Sequence, residues 1–179
     1  MEKNREPGKK GWKKVFNKKV ILIVIAGLVI IGSGTGVGLL KASEKPAFCA
    51  TCHNMKSYYT SWKDSNLLAN KHEKAGVTCH ECHQASIPAK INEGVKYVTG
   101  DYETPLQKRD YGTRDFCLKC HDFDKVKSKT NFEETNPHDL HNGEQDCNLC
   151  HNMHRQSKPM CAECHTFDWM NKLDESWEK

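Results

Sequence analysis

The only sustained apolar stretch in the chain lies near its start, where residues 20–40 run for 21 positions without a charge. Its densest part, residues 20–31, is aliphatic throughout except for Ala26 and Gly27. At 1.5 Å rise per residue a helix of that length spans about 31 Å, close to the hydrocarbon thickness of a bilayer. Beyond residue 40 the apolar positions thin out, and neither a helical nor a strand period is strong enough to place an element. The pattern predicts one membrane-spanning helix followed by a mainly α domain of short helices and long loops, with little or no sheet.

A cleaved secretory signal would also begin with a basic region and an apolar run. Two points favour a retained anchor: the uncharged stretch exceeds a usual signal core, and no clean Ala-X-Ala site follows it. Residues 1–19 carry eight lysines and arginines against Glu2 and Glu6, a net charge of +6, which leaves the rest of the +4 chain at −2. A basic patch of this kind can signal nucleic acid, but one that abuts an apolar span is better explained by topology. Positive residues stay cytoplasmic, so the N-terminus is placed inside and the remainder outside. The predicted organisation is a cytoplasmic basic tail over 1–19, a transmembrane anchor over 20–40 and an extracytoplasmic domain over 41–179. Gly32, Gly34, Gly36 and Gly38 form two Gly-X-X-X-Gly pairs, a pattern for self-association in the membrane or, alternatively, for a frayed helix end.

Composition sharpens the view of the outer domain. Only 37% of the chain is hydrophobic and 8% aromatic, and part of that sits in the anchor. What remains is too polar to fill an ordinary core, because a stable domain must bury enough apolar area to offset chain entropy. Something other than side chains must supply the missing apolar mass.

All ten cysteines fall in five copies of Cys-X-X-Cys-His. These are Cys49-Ala-Thr-Cys52-His53, Cys79-His-Glu-Cys82-His83, Cys117-Leu-Lys-Cys120-His121, Cys147-Asn-Leu-Cys150-His151 and Cys161-Ala-Glu-Cys164-His165. The spacing marks a c-type haem attachment site, in which two thiols bond the porphyrin and the adjacent histidine is carried to the iron. Zinc ribbons and disulfide frameworks also use paired cysteines but place no demand on the next residue. A histidine follows one pair by chance roughly one time in twenty, and five pairs roughly once in a few million. The sequence therefore predicts five covalently bound haem c groups, about 28 residues to each in the 139 residues from Lys41 onward. A polypeptide wrapped around five irons belongs to the class of proteins that move electrons.

The first cysteines are 30, 38, 30 and 14 residues apart, which is no strict repeat and makes the last two haems close neighbours. Each iron has two axial positions. Beyond the five motif histidines the chain offers His72, His80, His138, His141 and His154. His80 lies between two attachment cysteines and ranks as the spare; the other four are candidates for distal ligands.

Two stretches resemble known families. The N-terminal half, with its basic tail, single anchor, Phe-Cys-Ala-Thr-Cys-His-Asn-Met from Phe48, the Trp62 region and Val-Thr-Cys-His-Glu-Cys-His, is similar to the membrane-anchored quinol dehydrogenases of the NapC/NirT family as far as about residue 121. That family includes the small cytochrome subunit of nitrite reductase. The resemblance implies that the first haem faces the quinol at the membrane surface, with Met55 or His53 as its iron ligand. The family's quinol-site lysine and acid lie in roughly the segment holding Lys90, Lys96, Asp101 and Glu103. Lys96 and Asp101 are the chosen candidates, since quinol oxidation needs a proton acceptor and a cation or donor near the ring oxygens. Tyr58, Tyr59 and Trp62 are expected at a membrane-interface belt or along that pocket. From Asn136 the pattern Asn-Pro-His-X-X-His, Cys-X-X-Cys-His-X-X-His and Cys-X-X-Cys-His-Thr-Phe-Asp resembles small tetrahaem cytochromes and the haem domain of flavocytochrome c fumarate reductases. There the extra histidines complete bis-histidine haems, which would use His72, His138, His141 and His154 here. The five motifs depart from the usual four of the first family.

Together these features predict an electron-transfer subunit that oxidises menaquinol and passes electrons to a separate extracytoplasmic reductase, either a flavoprotein or a nitrite- or nitrate-type enzyme. Bis-histidine ligation gives low potentials and makes menaquinol a better donor than ubiquinol. The alternatives are a diffusible electron shuttle, if the first segment is cleaved, and a haem-based reductase of a small oxyanion, which would need an iron with a vacant face. A single-haem sensor does not fit five motifs.

Overall fold

Asn17 opens the first helix, its side chain accepting from the Lys19 N–H at 3.4 Å. Helix α1 then runs over Lys18–Ala42 in the computed structural model, which describes residues 17–104, 106 and 112–178. The basic tail expected over 1–19 lies outside the described residues apart from its last three. At 25 residues the helix is about 37 Å long, and it extends two residues past the uncharged stretch at each end. Most of its side chains are exposed, and among the described residues none of this helix is buried. Thr35 Oγ1 donates to Ile31 O at 2.8 Å and Ser33 Oγ to Ile30 O at 3.1 Å, so both hydroxyls are satisfied within the helix. The helix continues unbroken through the four glycines, and a Cβ at each would meet open space.

Residues 45–179 form a second compact unit, separate from 1–44. It is built from seven short helices: α2 Pro46–Cys49, α3 His53–Lys63, α4 Leu68–Lys74, α5 Cys79–Cys82, α6 Ile87–Thr99, α7 Thr113–Cys117 and α8 Phe123–Lys129. Single 3-10 turns follow at Cys147–Leu149, Met160–Glu163 and Asp168–Lys172. Among the described residues there is no strand beyond one isolated bridge between Ser157 and Trp177. The architecture is the mainly helical, loop-rich one that the sparse apolar pattern implies.

The motifs account for much of this irregular structure. In the last four, the histidine N–H bonds back to the first cysteine's carbonyl: His83 to Cys79 at 2.7 Å, His121 to Cys117 at 3.0 Å, His151 to Cys147 and His165 to Cys161 at 2.8 Å. Each motif is thus a single helical turn too short to propagate. Thr78 and Glu81 cap the second of them reciprocally, and the backbone N–H of Thr78 pulls the Glu81 carboxyl below its usual range.

Side-chain packing contributes little. The buried hydrophobic residues among those described are Ala69 and Trp169. Polar ties link the segments instead. Asn70 Nδ2 donates to Trp62 O at 2.9 Å, Trp62 Nε1 donates to Val77 O at 3.0 Å, and the Ala69 N–H donates to Met153 O at 3.0 Å. Lys71 Nζ meets Asp174 at 2.5 Å and the Ser176 hydroxyl at 2.9 Å, closing the C-terminal turn onto α4.

The Lys71 and Ser176 donors hold the Asp174 carboxyl down to about 2 from an ordinary 3.8. A depressed carboxylate stabilises the fold above the unfolded pKa and stops doing so as pH falls through the folded one. Asp174→Asn should therefore flatten the loss of thermal stability between about pH 4 and 2 while costing no more than about 1 kcal/mol at neutral pH. Unfolding midpoints recorded across that range test it.

Candidate haem sites and the electron path

Four of the motif histidines face a second histidine brought from a distant segment. His83 meets His154 with ring centres 6.2 Å apart, His121 meets His72 at 6.0 Å, His151 meets His138 at 6.0 Å, and His165 meets His141 at 6.3 Å. An imidazole–metal bond is about 2 Å, so two in line across one metal place the facing nitrogens about 4 Å and the ring centres about 6 Å apart. The pairs have the separation that an iron between them requires.

Second contacts orient the distal rings. His154 Nδ1 lies 2.6 Å from Ser61 Oγ, His138 Nδ1 lies 2.8 Å from Thr130 Oγ1, and His72 Nδ1 donates to Leu68 O at 2.9 Å. Engaging Nδ1 leaves Nε2 free toward the partner ring, the usual arrangement of a metal-bound histidine. Burial, with the facing His83 as a smaller influence, lowers His154 to about 4. Burial likewise brings His151 to about 4, helped by His138, and lowers His138 itself. All three rings are held in the neutral form that binds metal. His80 Nδ1 instead lies 3.2 Å from the His83 carbonyl and faces no second histidine in these pairs.

The cysteines fit haem better than zinc or disulfides. None of the ten is disulfide-bonded, and among the described residues no three His, Cys, Asp or Glu side chains converge to hold an ion directly. Burial raises the thiols of Cys49, Cys79, Cys82 and Cys150, and pushes Cys117 up to about 12 with help from Cys147. The near-absence of buried apolar side chains is the complementary observation: the residues leave room for large apolar groups.

The same cysteine contacts order the motifs. After burial, Cys79 is raised by Cys49, Cys82 by Cys120, Cys117 by Cys147 and Cys150 by Cys161. Consecutive motifs are therefore neighbours in space, first to second through to fifth.

The first site differs. The His53 N–H approaches the Tyr97 hydroxyl at 3.4 Å rather than closing onto Cys49. Its Nδ1 lies 3.0 Å from Tyr97 Oη and its Nε2 lies 3.1 Å from Tyr102 Oη. Two phenols thus hold both ring nitrogens. Gly100, at φ 79°, ends α6 in the left-handed conformation and turns the chain so that the Asp101 N–H reaches Lys96 O at 2.9 Å. The Asp101 carboxylate then lies 4.0 Å from Lys96 Nζ. The two charged residues singled out in the sequence lie near each other, and the tyrosines that follow them in the chain, Tyr97 and Tyr102, are the ones bonded to His53. Those tyrosines were not among the sequence candidates, although each directly follows one in the chain. Tyr58 packs edge-on against His154 at 5.4 Å, the Trp62 indole is tied to Val77, and the Tyr59 ring lies 5.8 Å from that of Trp62.

Comparison with known proteins agrees with this geometry. The cytochrome c3 family matches residues 71–166, a span holding the last four motifs and all four histidine pairs. This chain belongs to that family of multihaem electron-transfer cytochromes, whose haem c groups are bound covalently. It is similar to the cytochrome c-type protein Cgr1 of Eggerthella lenta, 30% identical over 80% of this chain and 82% of that one. It is also similar to the acrylate reductase cytochrome subunit of Shewanella woodyi, at 33% over 54% of this chain and 70% of that one. The cytochrome c-type protein NrfB of Escherichia coli is 28% identical over 67% and 65% respectively. No solved structure matches the chain.

The ring planes make a spectroscopic prediction. Two pairs are near parallel, at 6° and 26°, and two are near perpendicular, at 80° and 79°. Low-spin ferric haems with parallel imidazoles give ordinary rhombic paramagnetic resonance spectra, and perpendicular ones give highly anisotropic signals. Frozen oxidised protein should show both types in equal amounts. His72→Ala should remove one anisotropic component and His154→Ala one rhombic component, each leaving a single high-spin haem.

Proposed function

We propose that this chain is a membrane-anchored pentahaem cytochrome that oxidises menaquinol at its first haem and relays the electrons to an extracytoplasmic reductase. The anchor would span the membrane with the N-terminus inside and residues 41–179 outside. The observation that carries the reading is the contrast between four motifs closed by facing histidines and a first motif whose histidine is held by two tyrosines. The four closed sites have no vacant face for a small oxyanion, which disfavours a terminal reductase. The motif order supports a single file leading away from the first site, and the relative named as an acrylate reductase cytochrome subunit supports a reductase at its far end.

When bound, the haems supply a row of one-electron carriers. The chain's own residues position them. Cys49 and Cys52 would fix the first, and Met55 is assigned to its iron because both ring nitrogens of His53 are already engaged, by Tyr97 at 3.0 Å and Tyr102 at 3.1 Å. Lys96 presents a cation and Asp101 a carboxylate at one edge of this site. A quinol placed there would give up its two protons in turn, each accepted by Asp101 and passed to water, as its two electrons leave one at a time for the haems and Lys96 orients its oxygen. His83 with His154, His121 with His72, His151 with His138 and His165 with His141 hold the remaining four irons. The reductase itself is of the flavoprotein or the nitrite- or nitrate-type class.

In proteoliposomes, Asp101→Asn and Lys96→Ala should each slow reduction by a menaquinol analogue by about 10²-fold, while reduction by dithionite and the haem potentials stay unchanged. A potentiometric titration placing all five haems well above the menaquinone couple would overturn the choice of donor.

A further inference from the structure

We infer that α6 lies on the lipid surface and seats the first haem at the level of the headgroups, an inference that rests on the anchor reading of α1. Helix α6 (Ile87–Thr99) is capped by Ser86, whose side chain accepts from the Ala89 N–H at 3.4 Å, and begins at Ile87-Pro88. Ile87, Ile91, Val95 and Val98 recur at the spacing of one helical face, within an arc of about 80° at 100° per residue. All four are exposed, at 55%, 59%, 55% and 86% of their surface. Gly94 borders the stripe, and a Cβ there would meet nothing within 4 Å. Four aliphatic side chains in one uninterrupted row are more than the scattered surface apolar residues of a soluble domain.

The stripe does not face the first haem's attachment point. Lys90 and Glu93 act on the Cys49 thiol, and Tyr97 holds His53. These three residues lie about 100° to 160° round the helix from the stripe's centre, so the first motif approaches α6 on a side other than the stripe. The stripe also lacks the tyrosine, tryptophan, methionine or arginine that mark the centre of a protein–protein interface. It is purely aliphatic, and Lys90 and Lys96 lie about 100° and 140° round the helix from its centre, the composition of a helix that lies in the plane of a membrane with its charged side toward water.

Covalent reach supplies the occupant. Helix α1 ends at Ala42, seven residues before Cys49, and seven residues extend at most about 25 Å. Cys49 opens the motif whose His53 is bonded by Tyr97 of α6. Whatever the angle between the two units, α6 is tethered within that distance of the point where the anchor leaves the bilayer. Binding the stripe to lipid there brings Lys96, Asp101, Tyr97 and Tyr102, at the helix's C-terminal end, to the surface from which a quinol would enter.

Single spin labels in the full haem-loaded chain test this in vesicles of mixed phosphatidylcholine and phosphatidylglycerol. Labels are placed at Ile91→Cys and Val98→Cys on the stripe, Asn92→Cys on the polar face and Leu28→Cys in α1. Collision with dissolved oxygen, which favours lipid, is compared with collision with a water-soluble nickel chelate. The expected result is that labels at 91 and 98 favour oxygen several-fold over the label at 92, and that the label at 28 is deepest. Labels at 91 and 98 as open to nickel as that at 92, with 28 still deep, overturn the inference and leave the anchor reading intact. A water-exposed label at 28 overturns the anchor reading and the inference with it. Strong dipolar broadening between labels at Val98 would assign the stripe to a second copy of the chain and overturn it as well.

Discussion

A domain whose buried apolar residues are reduced to Ala69 and Trp169 cannot be held together by an ordinary side-chain core. The segments of this chain meet instead at paired imidazoles, each pair about 6 Å between ring centres and joining parts of the chain far apart in sequence. Cross-links of this kind replace the entropy-offsetting burial that a polar chain cannot supply. They also explain why the helices are short. Every motif must present two thiols and one imidazole to a single flat group, and one turn of helix does that without needing to continue.

From this constraint follows an asymmetry between the first site and the rest. Closing both faces of an iron with histidine leaves it able to exchange electrons but not to bind substrate. Four sites are built that way. The first departs from them in its backbone hydrogen bond, in the phenols on both nitrogens of His53 and in the nearby Lys96–Asp101 pair. It also lies outside the span matched by the cytochrome c3 family. The family match covers the four sites with facing histidines, and the first motif precedes it.

Much of this was legible in the sequence because the informative features are local. A 21-residue uncharged run and a five-residue motif are complete within their own spans. The absence of ordinary core composition likewise forecast short helices and loops. Pairing was not legible, because it is set by the path of the loops. His154 follows the fourth motif by three residues yet faces the histidine of the second, and His72 precedes the second yet faces that of the third. Tyr97 and Tyr102 escaped attention because nothing local distinguishes a tyrosine that reaches back across forty or more residues from one exposed to water.

The account's central claim is that four irons are closed by two histidines while the first is held by a methionine. Near-infrared magnetic circular dichroism of the fully oxidised protein reads this directly, since the ligand-dependent charge-transfer band of a low-spin ferric haem shifts when a thioether replaces an imidazole. The account predicts bis-histidine and methionine-ligated bands in a four-to-one ratio, with the minor band abolished by Met55→Leu and retained in His53→Ala. Five bis-histidine haems, or a minor band that survives Met55→Leu, would contradict it.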